Sequence, residues 1–213
     1  TSVALMKTFG VFFIGFLARP IGSLMFGHIG DRRGRKLALV FSIVLMALAT
    51  CFIGLLPTYH QAGEYAAILL IVMRLFQGFS VGGEYLGSSI FLVEHAPKNK
   101  RGLFGGLAMM SGNLGMLFAV LVCWLLTLLS THQQITHAYW RLPFLLAIFG
   151  GIAGLWVRLK AFETTVFVEN RKRFNSLRAH PLRETLSRHK KALVLIICLT
   201  WLGVVATYLT LVY

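Results

Sequence analysis

Polar side chains recur on one face of a long apolar segment of the sequence, an arrangement suited to binding rather than to catalysis. Arg74 and Gln77 are three residues apart, so on a helix they share one face. A guanidinium and a carboxamide in this arrangement form a stripe of hydrogen-bonding groups that can line a polar cavity. We predict that Arg74 and Gln77 contact a small solute, with Asn113, in a later apolar segment, as the third contact.

Glu84 is a carboxylate in the same apolar segment as Arg74, ten residues before Glu94 at the end of that segment. On a helix this spacing places Glu84 about 15 Å from the end. An ionisable side chain at such a depth in a membrane is costly and points to function. Two interpretations follow. Glu84 carries a proton, or it forms a fixed ion pair with Arg19, which lies at a similar depth in the first apolar segment.

A polar turn with the sequence GHIGDRRGRK joins the first two apolar segments. A glycine at its start lets another helix approach closely, its aspartate can accept hydrogen bonds from helix-terminal amides, and a second glycine permits a tight reversal. With charged residues that follow the third segment, this turn is expected to hold helix ends together in one conformation and release them in another. The predicted latch consists of Gly27, Asp31, Arg32, Gly34, Arg35, Lys36, Glu94 and Arg101.

The composition predicts that lipid surrounds these segments. Hydrophobic residues make up 57% of the chain and charged residues 13%, whereas a soluble domain carries about 25% charged residues. A membrane about 30 Å thick needs about 20 helical residues to cross it, and lipid requires each backbone to satisfy its own polar groups. The predicted fold is therefore an all-α membrane bundle. Its six apolar blocks are 5–29, 37–56, 66–93, 103–129, 142–157 and 192–213.

The net charge of +14 is explained by topology, because 17 of the 21 lysines and arginines lie between apolar blocks. The basic connections 30–36, 94–102 and 158–191 are predicted to be cytoplasmic by the positive-inside rule. Nucleic acid is not an expected partner. We divide the chain into a five-helix bundle at 1–157, a basic cytoplasmic linker at 158–191, and a first helix of a second half at 192–213, with both chain ends expected to be cut.

Motifs for other functions are missing from the sequence. Cys51, Cys123 and Cys198 each lie inside an apolar block, and their spacing fits no metal site and no disulfide framework. There is no nucleophile–base pair and no phosphate-binding loop. We expect no enzymatic activity, no cofactor and no metal ion.

Several motifs together resemble the metabolite:proton symporter branch of the major facilitator superfamily. The turn from Gly27 to Lys36 is similar to the signature loop of the superfamily. The branch is identified by four further motifs: Arg19–Gly22, Gln77–Tyr85, Trp140–Phe144, and Arg158 followed by Glu163–Phe167. The resemblance implies twelve helices in two halves, with the solute bound between the halves near the midplane. The blocks of this chain would be helices 2 to 7.

The resemblance also implies a function: proton-coupled symport of a small osmolyte, such as proline or glycine betaine, across the bacterial inner membrane by a monomer. Two alternatives stay open, a symporter of an organic acid of the dicarboxylate or shikimate type, and an inactive truncated fragment. Arg74 stands where proline/betaine relatives tend to carry lysine. Because arginine binds a carboxylate bidentately, this favours a solute with a carboxylate group, which amino acids and organic acids share.

Overall fold

A computed structural model of the chain describes residues 2–164, 167 and 190–212. The described residues form helices and contain no β-strand. Short 3₁₀ turns at Lys98–Lys100 and Tyr139–Arg141 precede two of the helices. The helices are α1 (Ser2–Arg33), α2 (Arg35–Leu55), α3 (Tyr59–Ala62), α4 (Glu64–His95), α5 (Arg101–Leu129), α6 (His132–His137), α7 (Leu142–Lys160) and α8 (Lys190–Val212).

Within the described residues, five helical stretches are long and apolar enough to cross a membrane: Phe9–Arg33, Arg35–Leu55, Glu64–His95, Lys98–Leu129 and Tyr139–Lys160. The all-α membrane fold predicted from the sequence is therefore confirmed. The sixth predicted block also folds as a helix, α8, and its crossing of the membrane stays a prediction.

The chain separates into two compact units, Thr1–Arg173 and Phe174–Tyr213. Helices α1 to α7 belong to the first unit, and α8 belongs to the second. All the contacts described below lie in the first unit. The predicted division at 157 and 191 stays a prediction, and most of the predicted linker lies outside the described residues.

Helices α1 and α4 pack along a seam where glycine lets the two backbones touch. A Cβ on Gly78 would overlap the carbonyl of Gly15, and one on Gly82 would overlap the carbonyl of Arg19. A Cβ on Gly22 of α1 would likewise overlap the carbonyl of Phe79. These small residues let the two helices approach closely, as is typical of helix packing in lipid.

The seam is not where the sequence predicted close packing. Gly27 was expected to admit a neighbouring helix, but a Cβ there would meet nothing within 4 Å. A Cβ on Gly102, Gly106 or Gly112 of α5 would also meet nothing within 4 Å. This part of the prediction is wrong because the glycine pattern of a helix does not reveal which of its faces has a neighbour.

Candidate functional site

Arg74 begins a chain of hydrogen bonds that leads from α4 to the backbone of α2. Its Nη1 donates to Oε1 of Gln77 over 2.7 Å, and Nε2 of Gln77 donates to Oγ1 of Thr50 over 2.9 Å. The Thr50 hydroxyl in turn donates to the carbonyl of Met46 over 2.7 Å. Arg74, Gln77 and Thr50 are all half-buried. The structure thus joins the two predicted residues of α4 and adds Thr50, which the sequence did not suggest.

The guanidinium of Arg74 also faces an aromatic ring. Its central carbon lies 4.8 Å from the centroid of Phe12 on α1, a distance at which cation and ring attract each other. A Cβ on Gly15 would come within 3.4 Å of the Arg74 carbonyl, so the seam itself brings the ring to the guanidinium. Among the described residues, no carboxylate lies within ion-pair distance of Arg74. Its partners among the described residues, the Gln77 amide and the Phe12 ring, are both neutral.

Asn113, the third predicted solute contact, is exposed on α5. No hydrogen bond connects it to Arg74 or Gln77 in the described part of the chain. The structure brings two of the three predicted residues together, and a solute contact by Asn113 stays a prediction.

Glu84 forms its ion pair with Arg158 of α7. Nη1 of Arg158 lies 2.8 Å from Oε2 of Glu84 and 2.7 Å from the carbonyl of Leu39. The hydroxyl of Ser42 donates to the same carboxylate oxygen over 2.8 Å. Three helices, α2, α4 and α7, therefore meet in one charge-balanced cluster. The sequence identified Glu84 but not Arg158 or Ser42.

The predicted ion pair between Glu84 and Arg19 is wrong. Arg19 does lie beside α4, because its carbonyl approaches Gly82. Two residues further along a helix a side chain has rotated by about 200°, so Glu84 faces away from the seam and toward α2 and α7. The Arg19 guanidinium is exposed and lies 3.9 Å from the centroid of Phe16 on its own helix.

Part of the predicted latch is assembled around Arg35. Its Nη2 lies 3.2 Å from Oδ1 of Asp31, and its Nε lies 3.8 Å from Oε1 of Glu94. Arg35 thus connects the end of α1, the start of α2 and the end of α4. Arg32 and Arg101 are exposed, and no ion pair joins Arg101 to this group within the described residues.

The start of α2 is capped by Glu163, which follows α7. The backbone N–H of Lys36 donates to both carboxylate oxygens of Glu163 over 3.2 Å, and Nζ of Lys36 donates to the carbonyl of Leu159 over 2.7 Å. Asp31 was expected to accept helix-terminal amides, but its carboxylate pairs with Arg35 instead. The expectation failed because the acid that caps α2 comes from 127 residues further along the chain.

Gly34 makes this cap possible. It adopts a φ of 112°, which favours glycine, and so turns the chain between α1 and α2. A Cβ at this position would also overlap Oε2 of Glu163. The one sequence signal for Glu163 was its place in the motif that follows Arg158.

The described residues contain no group of histidine, cysteine, aspartate and glutamate side chains that could hold a metal ion.

Comparison of the chain with known proteins identifies its family. The family model described as sugar (and other) transporter matches residues 2–200. The shikimate transporter of Escherichia coli (strain K12) is 36% identical over 206 residues, which are 96% of this chain and 47% of that protein. A putative proline/betaine transporter of Staphylococcus aureus (strain COL) is 44% identical over 162 residues, which are 76% of this chain and 35% of that protein. The chain spans less than half the length of these relatives.

Solved structures share the fold. The proton:xylose symporter XylE bound to 6-bromo-6-deoxy-D-glucose matches 80% of this chain with a TM-score of 0.71 and 17% identity, over 38% of its own length. An inward-open structure of XylE from E. coli matches 82% of this chain, and 44% of its own, with a TM-score of 0.66 and 17% identity. Likeness at such low identity shows the arrangement of helices alone. The family model and the relatives show that the chain belongs to the sugar (and other) transporter family of the major facilitator superfamily.

Proposed function

We propose that this chain forms most of the first half of a proton-coupled symporter for a small solute that carries a carboxylate, and that Arg74 binds this carboxylate. The observation that carries the proposal is the charge of Arg74, which is half-buried between α1 and α4 and has only neutral partners among the described residues. An intramembrane cation without a counter-charge is costly and is kept for function. A carboxylate would satisfy it through two parallel hydrogen bonds.

Both solute classes predicted from the sequence meet this requirement. Proline and glycine betaine each carry one carboxylate, and so do shikimate and each end of a dicarboxylate. The two relatives described above are named after members of both classes. Symport of an osmolyte such as proline or glycine betaine remains the first candidate, and an organic acid remains the alternative.

Proton coupling is proposed on the motif resemblance alone, without an assigned carrier. The contacts of Glu84 with Arg158 and Ser42 support the structural one of its two predicted roles. We expect the folded fraction of the Glu84→Gln variant to keep the coupling of solute uptake to protons. Loss of uphill uptake, with normal exchange of solute between the two sides, would return Glu84 to the role of proton carrier.

The solute is tested by uptake into proteoliposomes that contain the intact transporter. We expect saturable, pH-gradient-driven uptake of at least one radiolabelled compound among proline, glycine betaine, shikimate, 2-oxoglutarate and citrate, abolished by a protonophore. Pyrrolidine and choline, which lack the carboxylate of proline and glycine betaine, should not compete. Equal competition by these analogues would contradict carboxylate recognition.

Arg74→Ala is expected to raise KM at least tenfold, since a hydrogen-bonded charge pair contributes about 1.5–3 kcal/mol. The matched control is Lys98→Ala, which removes an exposed cation from a connection between helices. An unchanged KM in Arg74→Ala would make this arginine structural.

An inactive fragment is the alternative, because alternating access needs two halves that rock about a shared site. The flanking DNA distinguishes the two. A reading frame that continues past Tyr213, with a further helix encoded before Thr1, supports the transporter, and a stop codon soon after Tyr213 supports the fragment.

The proposed topology places 30–36, 94–102 and 158–191 in the cytoplasm of a bacterial cell. Reporter tags inserted after Lys36 and after Gln61 should be found in different compartments. Finding both tags in one compartment would contradict the topology.

A further inference from the structure

We infer that Thr50 is a positioning residue of the solute site, which acts through Gln77 to set the direction in which Arg74 presents its guanidinium. The inference rests on the proposed role of Arg74 in binding a carboxylate. It concerns a residue on α2 that is two hydrogen bonds away from the guanidinium.

The direction of the relay follows from counting hydrogens. The Thr50 hydroxyl has one hydrogen, which it donates to the carbonyl of Met46 over 2.7 Å. Toward Gln77 the hydroxyl can then only accept, so the NH₂ group of Gln77 must face it, at 2.9 Å. The carbonyl oxygen of Gln77 is thereby turned toward Arg74, 2.7 Å from Nη1. The opposite orientation of the amide would set its NH₂ group against a guanidinium, donor against donor.

The rest of the guanidinium is left for a solute. Of its five N–H groups only one, on Nη1, is used in these contacts. The Phe12 ring supports the group from α1. Nε and Nη2 make no hydrogen bond with any described residue, and these two atoms form a fork that fits a carboxylate.

A relay of this kind contributes to affinity by preorganisation. Without Thr50 the Gln77 amide can turn, and Arg74 can leave its position over Phe12. A solute must then immobilise both side chains when it binds, which weakens binding roughly tenfold. The maximal rate should change little, because Thr50 lies outside the shell that would touch the solute.

The first test compares two substitutions of one side chain in the intact transporter, with uptake measured for the carboxylated solute that gives the highest rate. Thr50→Val keeps the shape but removes the hydroxyl, and we expect a roughly tenfold higher KM with a maximal rate within about twofold per folded molecule. Thr50→Ser restores the hydroxyl and should restore KM. Thr127→Val is the matched control, since Thr127 also donates to its own helix backbone, over 2.7 Å, but lies exposed on α5. It should have the KM of the unmodified protein.

The second test asks whether the effect passes through Gln77. Gln77→Leu alone should raise KM, and adding Thr50→Val to it should raise KM no further. Additive effects would overturn the relay, and so would an unchanged KM in Thr50→Val.

KM is independent of the amount of folded protein, so partial misfolding does not change it. If Thr50→Val does not fold at all, Thr50→Ala is compared with Thr50→Ser in its place. Absence of carboxylate uptake by the unmodified transporter would overturn the proposed function and this inference together, whereas a normal KM in the Thr50 variants overturns the inference alone.

Discussion

Arg158 and Arg74 lie in apolar helices of the same bundle, yet their surroundings differ in charge. Arg158 meets the carboxylate of Glu84 and the carbonyl of Leu39, so its charge is matched and its hydrogen bonds join three helices. Arg74 meets an amide and an aromatic ring, and its charge is unmatched among the described residues. The first arrangement can be complete in the protein alone. In the proposed function, the carboxylate of the solute supplies the counter-charge that the second lacks.

The difference teaches that depth in the bundle alone does not distinguish the two arginines, whereas charge balance does. A buried pair that loses one member leaves an uncompensated charge and destabilises strongly. Removing an arginine that has no counter-charge should destabilise the fold much less. The free-energy cost of its unmatched charge in the free protein is recovered when an anion binds. The predictions below test this contrast, first in the arginines and then in the helix contacts that hold them.

Arg158→Met should have the largest effect, a loss of about 3–5 kcal/mol in the free energy of unfolding, because it leaves Glu84 charged and unpaired. Arg74→Met should change it by less than about 1 kcal/mol, because the loss of the Phe12 contact and of one hydrogen bond is offset by the removal of an unmatched charge from the bundle. The measurement is the unfolding of the purified chain in detergent micelles by titration with sodium dodecyl sulfate, followed by circular dichroism.

The double variant Glu84→Gln/Arg158→Met is the control for the first prediction. It removes both charges, so most of the lost stability should return. Equal destabilisation by Arg158→Met and Arg74→Met would erase the contrast between the two arginines.

Gly78→Ala should have the next largest effect, about 1–3 kcal/mol, because its methyl group has no room beside the carbonyl of Gly15. Gly112→Ala is the matched control on α5, where a Cβ meets nothing within 4 Å. It should leave stability unchanged or raise it by up to about 1 kcal/mol, since alanine favours the helix. The same detergent titration measures both. Similar losses at the two positions would show that the seam between α1 and α4 is not the close contact of the bundle.

The fold could be predicted from the sequence because lipid imposes it segment by segment. The length of each apolar segment predicts a membrane-spanning helix, and the positions of lysine and arginine predict its orientation in the membrane. The turn at Gly34 could be predicted for a similar reason, since a reversal between two adjacent helices is a local event. The spacing of Arg74 and Gln77 on one helix also predicted that they lie together, and the structure joins them by a hydrogen bond. Their contact with a solute stays a prediction.

The pairing of side chains between helices could not be predicted, because it depends on how each helix is rotated about its axis. Arg19 and Glu84 are near each other in depth, but about 200° of rotation between Gly82 and Glu84 sends the carboxylate to Arg158 instead. Thr50 gave no signal, since a threonine in an apolar helix usually bonds to its own backbone, and its second hydrogen bond is visible only with α4 in place.

Glu163→Gln should have the smallest effect and tests the cap at the start of α2, the helix that carries Ser42 and Thr50. The charged carboxylate accepts the Lys36 amide and lies at the positive end of α2, an interaction worth about 0.5–2 kcal/mol. Its loss should act locally, because the ion pairs of Arg35 and Arg158 do not involve Glu163. We expect faster hydrogen exchange at the amides of the first turn of α2, with the exchange of α4 unchanged.

The control is Glu64→Gln, which removes an acid from the first turn of α4 and should leave the Lys36 amide protected. If Glu163→Gln instead loosened α2, α4 and α7 together, the cap and the Arg158 cluster would be one cooperative unit, and the charge-balanced region would extend from Glu84 to the end of α7.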